Sequence, residues 1–292
     1  MSKVTGDRLN LLYWAFGEVT NSEQLHGVDE EEFVRRCANV SKMEMFMNTL
    51  NQPAWLTDYP NLKELQLHVQ NIPQPIGLHR MSQLQRLCMT EVRLQTMRGI
   101  ESCTQLIHLD LSSNSLTKMD PTVLGELTNL RTLWLNENPI AVIQGTESLT
   151  RLHSLWLART HVSYIGDKLD SNVALTDLNL AASAICNFKD IPSLVHLRLL
   201  SSLSFADGHF GDSPVCNLCN YQTYILFHLQ QLNVLDSLII AEESRQIAEA
   251  TYMKKKMCAS SLRPPCQTDI PVASQILCGI KSHLIEIAHG IP

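Results

Sequence analysis

Two cysteines, Cys216 and Cys219, form a Cys-x-x-Cys pair, the spacing in this sequence that most resembles a chemical site. Such a pair supplies two of the four ligands of a structural zinc ion, or the dithiol of a redox centre. The nearest histidines, His209 and His228, lie at no typical spacing for the other two zinc ligands. The strand–helix–strand context of a redox dithiol is missing as well. Packing of two small apolar side chains is therefore the favoured interpretation, with zinc or redox chemistry as the alternative.

No other stretch carries the spacing of a catalytic or cofactor-binding motif. The sequence has no phosphate-binding loop, no His-Glu-x-x-His and no Gly-x-Ser-x-Gly elbow. We therefore expect a non-enzymatic protein with no catalytic residues, no cofactor and no bound metal. Serine substitution of both Cys216 and Cys219 is expected to lower stability somewhat and to leave binding unchanged.

The composition of the chain narrows the classes of partner. Its 292 residues carry 23 Lys and Arg against 29 Asp and Glu, a net charge of −6, whereas a nucleic-acid-binding face is basic. The nine cysteines are odd in number and scattered, which is typical of a reducing compartment. The N-terminus lacks the layout of a signal peptide, and no apolar run approaches the roughly 20 residues of a membrane span. These features predict a cytosolic protein that binds neither nucleic acid directly nor membranes.

A repeated pattern, Leu-x-x-Leu-x-[Leu/Met], recurs along the middle of the chain at steps of 19 to 24 residues. The alternation within each copy predicts a short strand, and the apolar positions that follow predict a turn and a return segment. No unit can bury its apolar face alone, so the units must stack into one solenoid. The opening residues of the seven copies are Leu62, Leu84, Leu106, Leu130, Leu152, Leu175 and Leu194.

Two asparagines, Asn114 and Asn138, occupy the eighth position after the opening leucine of their units. An asparagine side chain both donates and accepts hydrogen bonds, so it can satisfy backbone groups that a turn leaves unpaired. We expect these two amides to tie their turns to the adjacent repeat.

The unit Leu-x-x-Leu-x-Leu-x-x-Asn-x-Ile, repeated between Leu62 and Asp236, resembles the intracellular subclass of leucine-rich repeats. That subclass includes the regulatory repeat subunit of phosphatase-1, the spliceosomal A-prime protein and many axonemal proteins. The resemblance implies an α/β solenoid with parallel strands on its concave side and short helical or irregular segments on its convex side. It also implies a scaffold for protein interactions. The C-terminal part is most similar to multi-block repeat proteins of ciliated cells.

The two ends of the repeat array are predicted to carry different caps. Asp29–Met47 has the acidic start and the apolar spacing of a helix, which predicts a helical N-terminal cap. The predicted regions are, in order, the N-terminal helical cap at 1–61, the repeats at 62–204, a C-terminal cap at 205–238, a projecting helix at 239–257 and a divergent tail at 258–292.

The residues after Leu199 resemble the motif that closes intracellular leucine-rich repeat arrays. That motif has a proline after a turn, an aromatic residue, an apolar helix and a closing Leu-x-x-Leu-Asp. Gln222 stands where an arginine most often follows the aromatic residue, which removes one expected polar contact. The predicted cap residues are Pro214, Tyr221, Ile225, Leu229, Leu232, Leu235 and Asp236.

The residue between the last two leucines of each unit points out of the sheet toward the concave side. Trp134 and Trp156 hold this position on adjacent predicted strands, about 5 Å apart, and cannot both enter the core. Adjacent exposed tryptophans are typical of interface hot spots, and mutual stacking that stiffens the sheet is the alternative. The predicted concave column is Gln66, Cys88, Asp110, Trp134, Trp156, Asn179 and Arg198. The predicted partner-binding residues are Asp110, Trp134, Asn136, Glu137, Trp156, Arg159 and Arg198.

These observations predict a monomeric scaffold that binds a protein of unknown identity through its concave face. The family resemblance favours a cytoplasmic setting, with the cilium and cytoskeleton included, over the nucleus. A regulatory subunit that docks a protein phosphatase is one alternative function. A ribonucleoprotein assembly factor resembling the spliceosomal A-prime protein is another.

Overall fold

One strand from each repeat joins a ten-stranded sheet. The computed structural model describes residues 30–46, 59–75 and 77–261. The strands in these ranges are β1 Lys42–Phe46, β2 Glu64–His68, β3 Arg86–Thr90, β4 His108–Asp110, β5 Thr132–Trp134, β6 Ser154–Trp156, β7 Asp177–Asn179, β8 Ser202–Ser204, β9 Ala206–Asp207, β10 Gly211–Asp212, β11 Val234–Leu235 and β12 Leu238–Ile239. The sheet order is β1 to β8, then β11 and β12; β12 pairs antiparallel, and β9 with β10 forms a separate hairpin.

The helical segments of the described ranges are mostly short. The 3-10 segments found there lie at Leu78–Arg80, Ile191–His196 and Pro214–Asn217. Within the described ranges, no helix combines the length and hydropathy that crossing a membrane requires. The chain divides into two compact units, Met1–Glu249 and Ala250–Pro292. The α-helices are α1 Glu30–Asn39, α2 Pro121–Leu124, α3 Tyr221–His228 and α4 Glu242–Ser261.

The inward leucines of each strand form the core of the solenoid. In β4 and the residue after it, Leu109 and Leu111 are buried, while Asp110 between them is half-buried. Strands β2 to β8 pair in parallel so that equivalent leucines lie side by side, as Leu109 does with Leu133. Truncation of such a leucine to alanine costs about 2–5 kcal/mol, so the array depends on every unit.

The turns after β2 to β7 take a left-handed backbone conformation at one repeated position. This position is the seventh after the opening leucine, and φ there is +52° at Val69 and +56° at Ser113. L-residues rarely adopt such angles, and β-branched valine least of all. The stacking of turns therefore dictates this conformation whatever residue is present. The residues at this position are Val69, Glu91, Ser113, Glu137, Arg159 and Ala182.

The predicted asparagine ties are confirmed. Oδ1 of Asn114 accepts the backbone N–H groups of Val92 and Leu94 at 3.1 and 2.9 Å, and its Nδ2 donates to the Met89 carbonyl. Oδ1 of Asn138 accepts the N–H of Leu116 at 2.9 Å. Each amide therefore fastens its own turn to the turn of the preceding repeat.

The seventh repeat begins six residues later than predicted. Its strand is β8, and Ser202 and Leu203 pair with Asp177 and Leu178 of β7. The opening leucine is thus Leu200, because Leu200, Leu203 and Phe205 are fully buried and aligned with Leu175, Leu178 and Leu180.

The sequence around Leu194 matches the repeat pattern but lies in a 3-10 segment, Ile191–His196. Leu199, which the earlier register would bury, is 60% exposed. The predicted concave position of Arg198 is therefore wrong: Arg198 lies in the turn between that segment and Leu200.

The helix predicted over 29–47 is confirmed only for its first part. Helix α1 ends at Asn39, and Lys42–Phe46 forms β1, parallel to β2. Met43 and Met45 of β1 are buried in the core, while their neighbours point outward. A strand with this alternation extends the sheet by one unit before the first predicted repeat, because β1 pairs with the backbone edge of β2 and its two methionines extend the core.

Tyr221 and Asp236 form the centre of the C-terminal cap. The Tyr221 hydroxyl donates to Oδ2 of Asp236 at 3.0 Å, and Oδ1 of Asp236 accepts the N–H groups of Phe205 and Ala206 at 2.9 and 3.0 Å. Burial raises the pKa of the Asp236 carboxyl and of the Tyr221 hydroxyl. The closing aspartate therefore fixes the end of β8 to the cap through three donors.

Candidate functional site

Strand pairing aligns one outward residue from each repeat in a single column. We name the surface around this column the concave face. Its last two members, Asn179 and Ser204, are 4% and 7% exposed, so the solvent-exposed part of the column ends at Trp156. We name this exposed part, from Glu44 to Trp156, the open part of the concave face. The members of the column are Glu44, Gln66, Cys88, Asp110, Trp134, Trp156, Asn179 and Ser204.

Trp134 and Trp156 stack on each other at the end of this open part. Their ring centroids lie 5.0 Å apart and their planes meet at 26°. Both side chains are half-buried. Offset stacking of this kind favours one relative orientation of the two rings. The predicted adjacency of the two rings is confirmed. They also stack on each other, as the alternative to a binding role assumed. A binding role for the pair stays a prediction.

Asp177 and Ser154 hold the polar edges of the two indoles. Nε1 of Trp156 donates to Oδ2 of Asp177 at 2.5 Å, and the Ser154 hydroxyl donates to the same oxygen at 2.9 Å. Nε1 of Trp134 donates to the Ser154 hydroxyl oxygen at 3.4 Å. Sequence reasoning missed Asp177, although it occupies the outward position two residues before Asn179 on β7. The stack is therefore anchored at its edges and loses little conformational freedom when a partner contacts its faces.

A cavity of about 330 Å³ opens on the concave face beside Trp134. Asp110, Cys88 and His108 line it together with Trp134. Burial, and then the nearby Asp110 carboxylate, raises the pKa of the Cys88 thiol to about 12, so the thiol is neutral at physiological pH. Burial lowers the pKa of His108, whose Nδ1 lies 3.0 Å from the Thr132 hydroxyl. Asp110 and Arg86 are therefore the charged side chains that line this cavity.

Glu137 and Arg159, predicted to rim the tryptophans, are joined to each other. Nη1 of Arg159 donates to Oε1 of Glu137 at 2.7 Å, and the Ser113 hydroxyl donates to Oε2 at 2.7 Å. Hydrogen bonds from Ser113 and Arg159 lower the pKa of Glu137. Arg159 also donates to the carbonyls of His209 and Phe210 at 2.9 and 2.8 Å. Arg159 therefore fastens the β9–β10 hairpin to the turn after β6.

Two other predicted binding residues lie outside the exposed part of the concave column. Asn136 is 5% exposed, and its Oδ1 accepts the N–H of Ala158 at 2.9 Å, so it links two turns. Arg198 lines an open groove of about 1330 Å³ together with Tyr164 and Asp170, away from the concave column. The structure thus brings Asp110, Trp134 and Trp156 together on one surface.

The Cys-x-x-Cys pair lies in the C-terminal cap. Cys216 is half-buried and packs against the core, and Cys219 is exposed. Burial is the main cause that raises the pKa of the Cys216 thiol. Over the described ranges, no three His, Cys, Asp or Glu side chains are grouped so that they could hold a metal ion. Packing, which was predicted for both side chains, is thus found for Cys216 and not for Cys219. The expected effect of replacing both cysteines stays a prediction.

Comparison with known proteins finds relatives among ribonucleoprotein components. Residues 123–263 match the family model described as "Leucine-rich repeat". U2 small nuclear ribonucleoprotein A' of Homo sapiens is 29% identical over 122 residues, which are 41% of this chain and 46% of the human protein. The Aspergillus fumigatus protein of the same description is 25% identical over 185 residues, 62% of this chain and 65% of the fungal protein. This chain thus spans about half the length of its human relative.

Solved structures of Listeria monocytogenes internalins are similar to the protein. An internalin (inlF) matches with a TM-score of 0.57 and 17% identity, covering 79% of this chain and 68% of that chain. Internalin C2 matches with a TM-score of 0.57 and 22% identity, covering 74% and 90%. At these identities the likeness concerns the fold. The parallel one-strand repeat, the family match and the structural neighbours together make the fold a leucine-rich repeat solenoid, as predicted.

Proposed function

We propose that the protein is a non-enzymatic scaffold that binds a protein partner through the open part of its concave face. The observation that carries this proposal is the stacked pair of Trp134 and Trp156, held at its edges by Ser154 and Asp177. Tryptophan is enriched in interface hot spots because it contributes a large contact area with few rotatable bonds. A pre-oriented pair on a rigid sheet meets that requirement, and repeat solenoids commonly use such surfaces for binding.

Quantitative capture from cell lysate with matched variants tests this proposal. The double variant Trp134→Ala/Trp156→Ala is compared with Tyr164→Ala, which removes another aromatic side chain that is 57% exposed and lies off the concave face. We expect the tryptophan variant to lose a set of partners that both the unchanged chain and Tyr164→Ala retain. Thermal unfolding of each variant establishes that its fold is intact. Identical partner sets for all three proteins would overturn the proposal.

A second candidate function is membership of a ribonucleoprotein particle, because the relatives found are U2 small nuclear ribonucleoprotein A' proteins. With a net charge of −6, this chain would join such a particle through a protein component and not through RNA. Ribonuclease treatment of the lysate distinguishes capture through a protein component from capture through RNA. Capture of RNA-binding proteins that survives ribonuclease and requires Trp134 and Trp156 supports this candidate. Capture of axonemal proteins or of a phosphatase would instead favour the other two predicted settings.

A further inference from the structure

Building on the proposed function, we propose that the cavity beside Trp134 receives an arginine side chain of the protein partner. The cavity has about 330 Å³ and lies within the open part of the concave face. That volume is at the lower end of the range for ligand pockets, which suits a single long side chain.

Trp134 supplies the aromatic wall. It lies between Asp110 on β4 and Trp156 on β6 in the strand register. One ring face is covered because it stacks on Trp156, and Trp134 also lines the cavity together with Asp110, whereas Trp156 does not. The ring face that borders the cavity is therefore the one directed toward β4. A cation over the face of a tryptophan ring gains electrostatic energy from the ring quadrupole.

Asp110 supplies the carboxylate on the neighbouring strand. Its Oδ1 accepts the N–H of Ser112 at 2.9 Å, and its Oδ2 receives a thiol contact from Cys88 at 3.7 Å. Across the described part of the chain, no Lys, Arg or His nitrogen lies within ion-pair distance of this carboxylate. The Cys88 thiol contact is long, so Oδ2 retains acceptor capacity for a charged donor.

The outward positions of β1 to β7 carry more carboxylates than Lys or Arg side chains. The carboxylates are Glu44, Glu64, Asp110 and Asp177, and the cations are Lys42, which pairs with Glu64 at 3.7 Å, and Arg86. Arg86 is the cationic side chain that lines the cavity, but it is exposed and lies at the position beside His108, outside ion-pair distance of Asp110. A partner cation would therefore meet an unneutralised carboxylate.

Arginine suits this geometry better than lysine. The guanidinium group is planar, so it can lie flat on an indole while its edge donates to a carboxylate. Lysine carries a compact and strongly hydrated charge that cannot make both contacts with one plane. The occupant is thus a protein segment that presents an arginine beside the tryptophan stack.

Selection from a displayed library of random peptides on the full chain tests the inference. Three further proteins are screened in parallel: Trp134→Ala/Trp156→Ala, Asp110→Asn, and the charge-matched control Glu147→Gln, whose exposed carboxylate lies in the loop between β5 and β6. Asp110→Asn keeps the Oδ1 acceptor for Ser112, so the turn is retained. We expect tryptophan-dependent peptides that share an arginine, both on the unchanged chain and on Glu147→Gln.

A double-mutant cycle then locates the arginine. The selected peptide is synthesised with arginine, with lysine or with uncharged citrulline at the shared position, and each Kd is measured by calorimetry. On the unchanged chain, citrulline should weaken binding about tenfold or more, since a hydrogen bond to a charged group is lost. On Asp110→Asn, the same replacement should have little effect, because the two groups are coupled.

Each outcome bears on a separate claim. Tryptophan-dependent peptides without a shared arginine, or a citrulline effect equal on the unchanged chain and on Asp110→Asn, would overturn the inference and leave the proposed function standing. A lysine peptide that binds as tightly as the arginine peptide would overturn the assignment of a guanidinium. Selection that yields no tryptophan-dependent peptide would overturn both the inference and the proposed function.

Discussion

The buried amide of Asn138 allows the link between repeats to be tested by one substitution. Its side chain is 1% exposed, its Oδ1 accepts the Leu116 N–H at 2.9 Å, and its Nδ2 donates to the carbonyls of Leu111, Leu135 and Asn136 at 2.9, 3.1 and 3.1 Å. Asn138→Ala removes the partner of the Leu116 N–H and of at least one of these carbonyls. Each buried polar group that loses its partner costs about 1–3 kcal/mol, so we expect the free energy of unfolding to fall by about 3 kcal/mol.

A second substitution at the same position removes the hydrogen-bond donors of the Asn138 side chain while it keeps an acceptor oxygen. Asn138→Asp keeps an oxygen for the Leu116 N–H but directs a carboxylate at the three carbonyl oxygens. Burial and repulsion would raise the folded-state pKa of this carboxyl above its unfolded value of about 3.9. The cost of ionisation is then absent below pH 3.9 and grows as the pH rises toward the folded-state pKa. The variant should therefore lie further below the unchanged chain at pH 7 than at pH 4.

Denaturant unfolding, followed by both circular dichroism and tryptophan fluorescence, measures these differences. Coincident transitions establish that one free energy describes the array. The matched control is Asn129→Ala, because Asn129 is only half-buried and its two side-chain hydrogen bonds, to the Thr104 carbonyl at 3.0 Å and from Arg151 at 2.8 Å, are exposed. A loss at Asn138→Ala no larger than the loss at Asn129→Ala would refute the reasoning. So would an Asn138→Asp variant whose deficit does not change with pH.

Two further substitutions test the cap and the rim of the concave face. Tyr221→Phe should lower the free energy of unfolding by about 1 kcal/mol because it removes the hydroxyl that donates to Asp236. Tyr221→Ala should lower the free energy of unfolding by about 3–5 kcal/mol, as is usual when a buried aromatic side chain is truncated. It should also speed amide hydrogen exchange in β8 and β11 before the other strands. Exchange that rises equally in all strands would contradict this prediction. The lowered pKa of Glu137 means that its stabilisation is present above pH 4.5 and is lost as the pH falls through its folded-state pKa. Glu137→Gln should thus be less stable than the unchanged chain at pH 7, by at most about 1 kcal/mol, and thermal unfolding should show this deficit shrinking as the pH falls below 4.5. A deficit that does not shrink with falling pH would count against the Ser113 and Arg159 contacts.

The sequence predicts the solenoid well because the repeated leucines, which are its clearest pattern, are also the residues that must be buried in the core. A leucine every second position is buried in strand after strand, and one slipped residue would turn that apolar set to solvent. The hydrogen bonds of Asn114 and Asn138 were predictable for a similar reason. An amide next to a left-handed turn has the unpaired backbone groups of the neighbouring turn as its nearest hydrogen-bond partners.

The local sequence pattern alone does not show which of several possible matches forms the strand. The two wrong predictions, one at each end of the repeat array, both arose from this ambiguity. The stretches beginning at Leu194 and Leu200 each fit an apolar triplet, and pairing with β7 selects the second. At the other end, Val40, Met43 and Met45 also fit the repeat and lie 22 residues before Leu62, Leu65 and Leu67. The acidic start of α1 obscured this match, although the 22-residue interval was a usable signal.

The candidate site was predictable where it depends on strand register and not where it depends on side-chain contacts between repeats. Adjacency of Trp134 and Trp156 follows from the period alone. The engagement of Arg159 by the β9–β10 hairpin does not, because it joins residues about 50 positions apart. The burial of Asn136 depends likewise on the neighbouring turn.

The inward and outward residues of each strand meet different requirements, so the residues that determine the fold are not those proposed to bind a partner. Inward positions must be apolar to close the core, so they carry the repeat and little else. Outward positions are free, and only there do Asp110, Trp134 and Trp156 follow one another. Asn179 and Ser204 are buried at the end of the column, so its exposed aromatic residues end at Trp156, with the carboxylate of Asp110 two strands before. Under the proposed function, the residues that would select the partner therefore lie on β4, β5 and β6, and we expect exchange of those outward residues to change the partner without changing the fold.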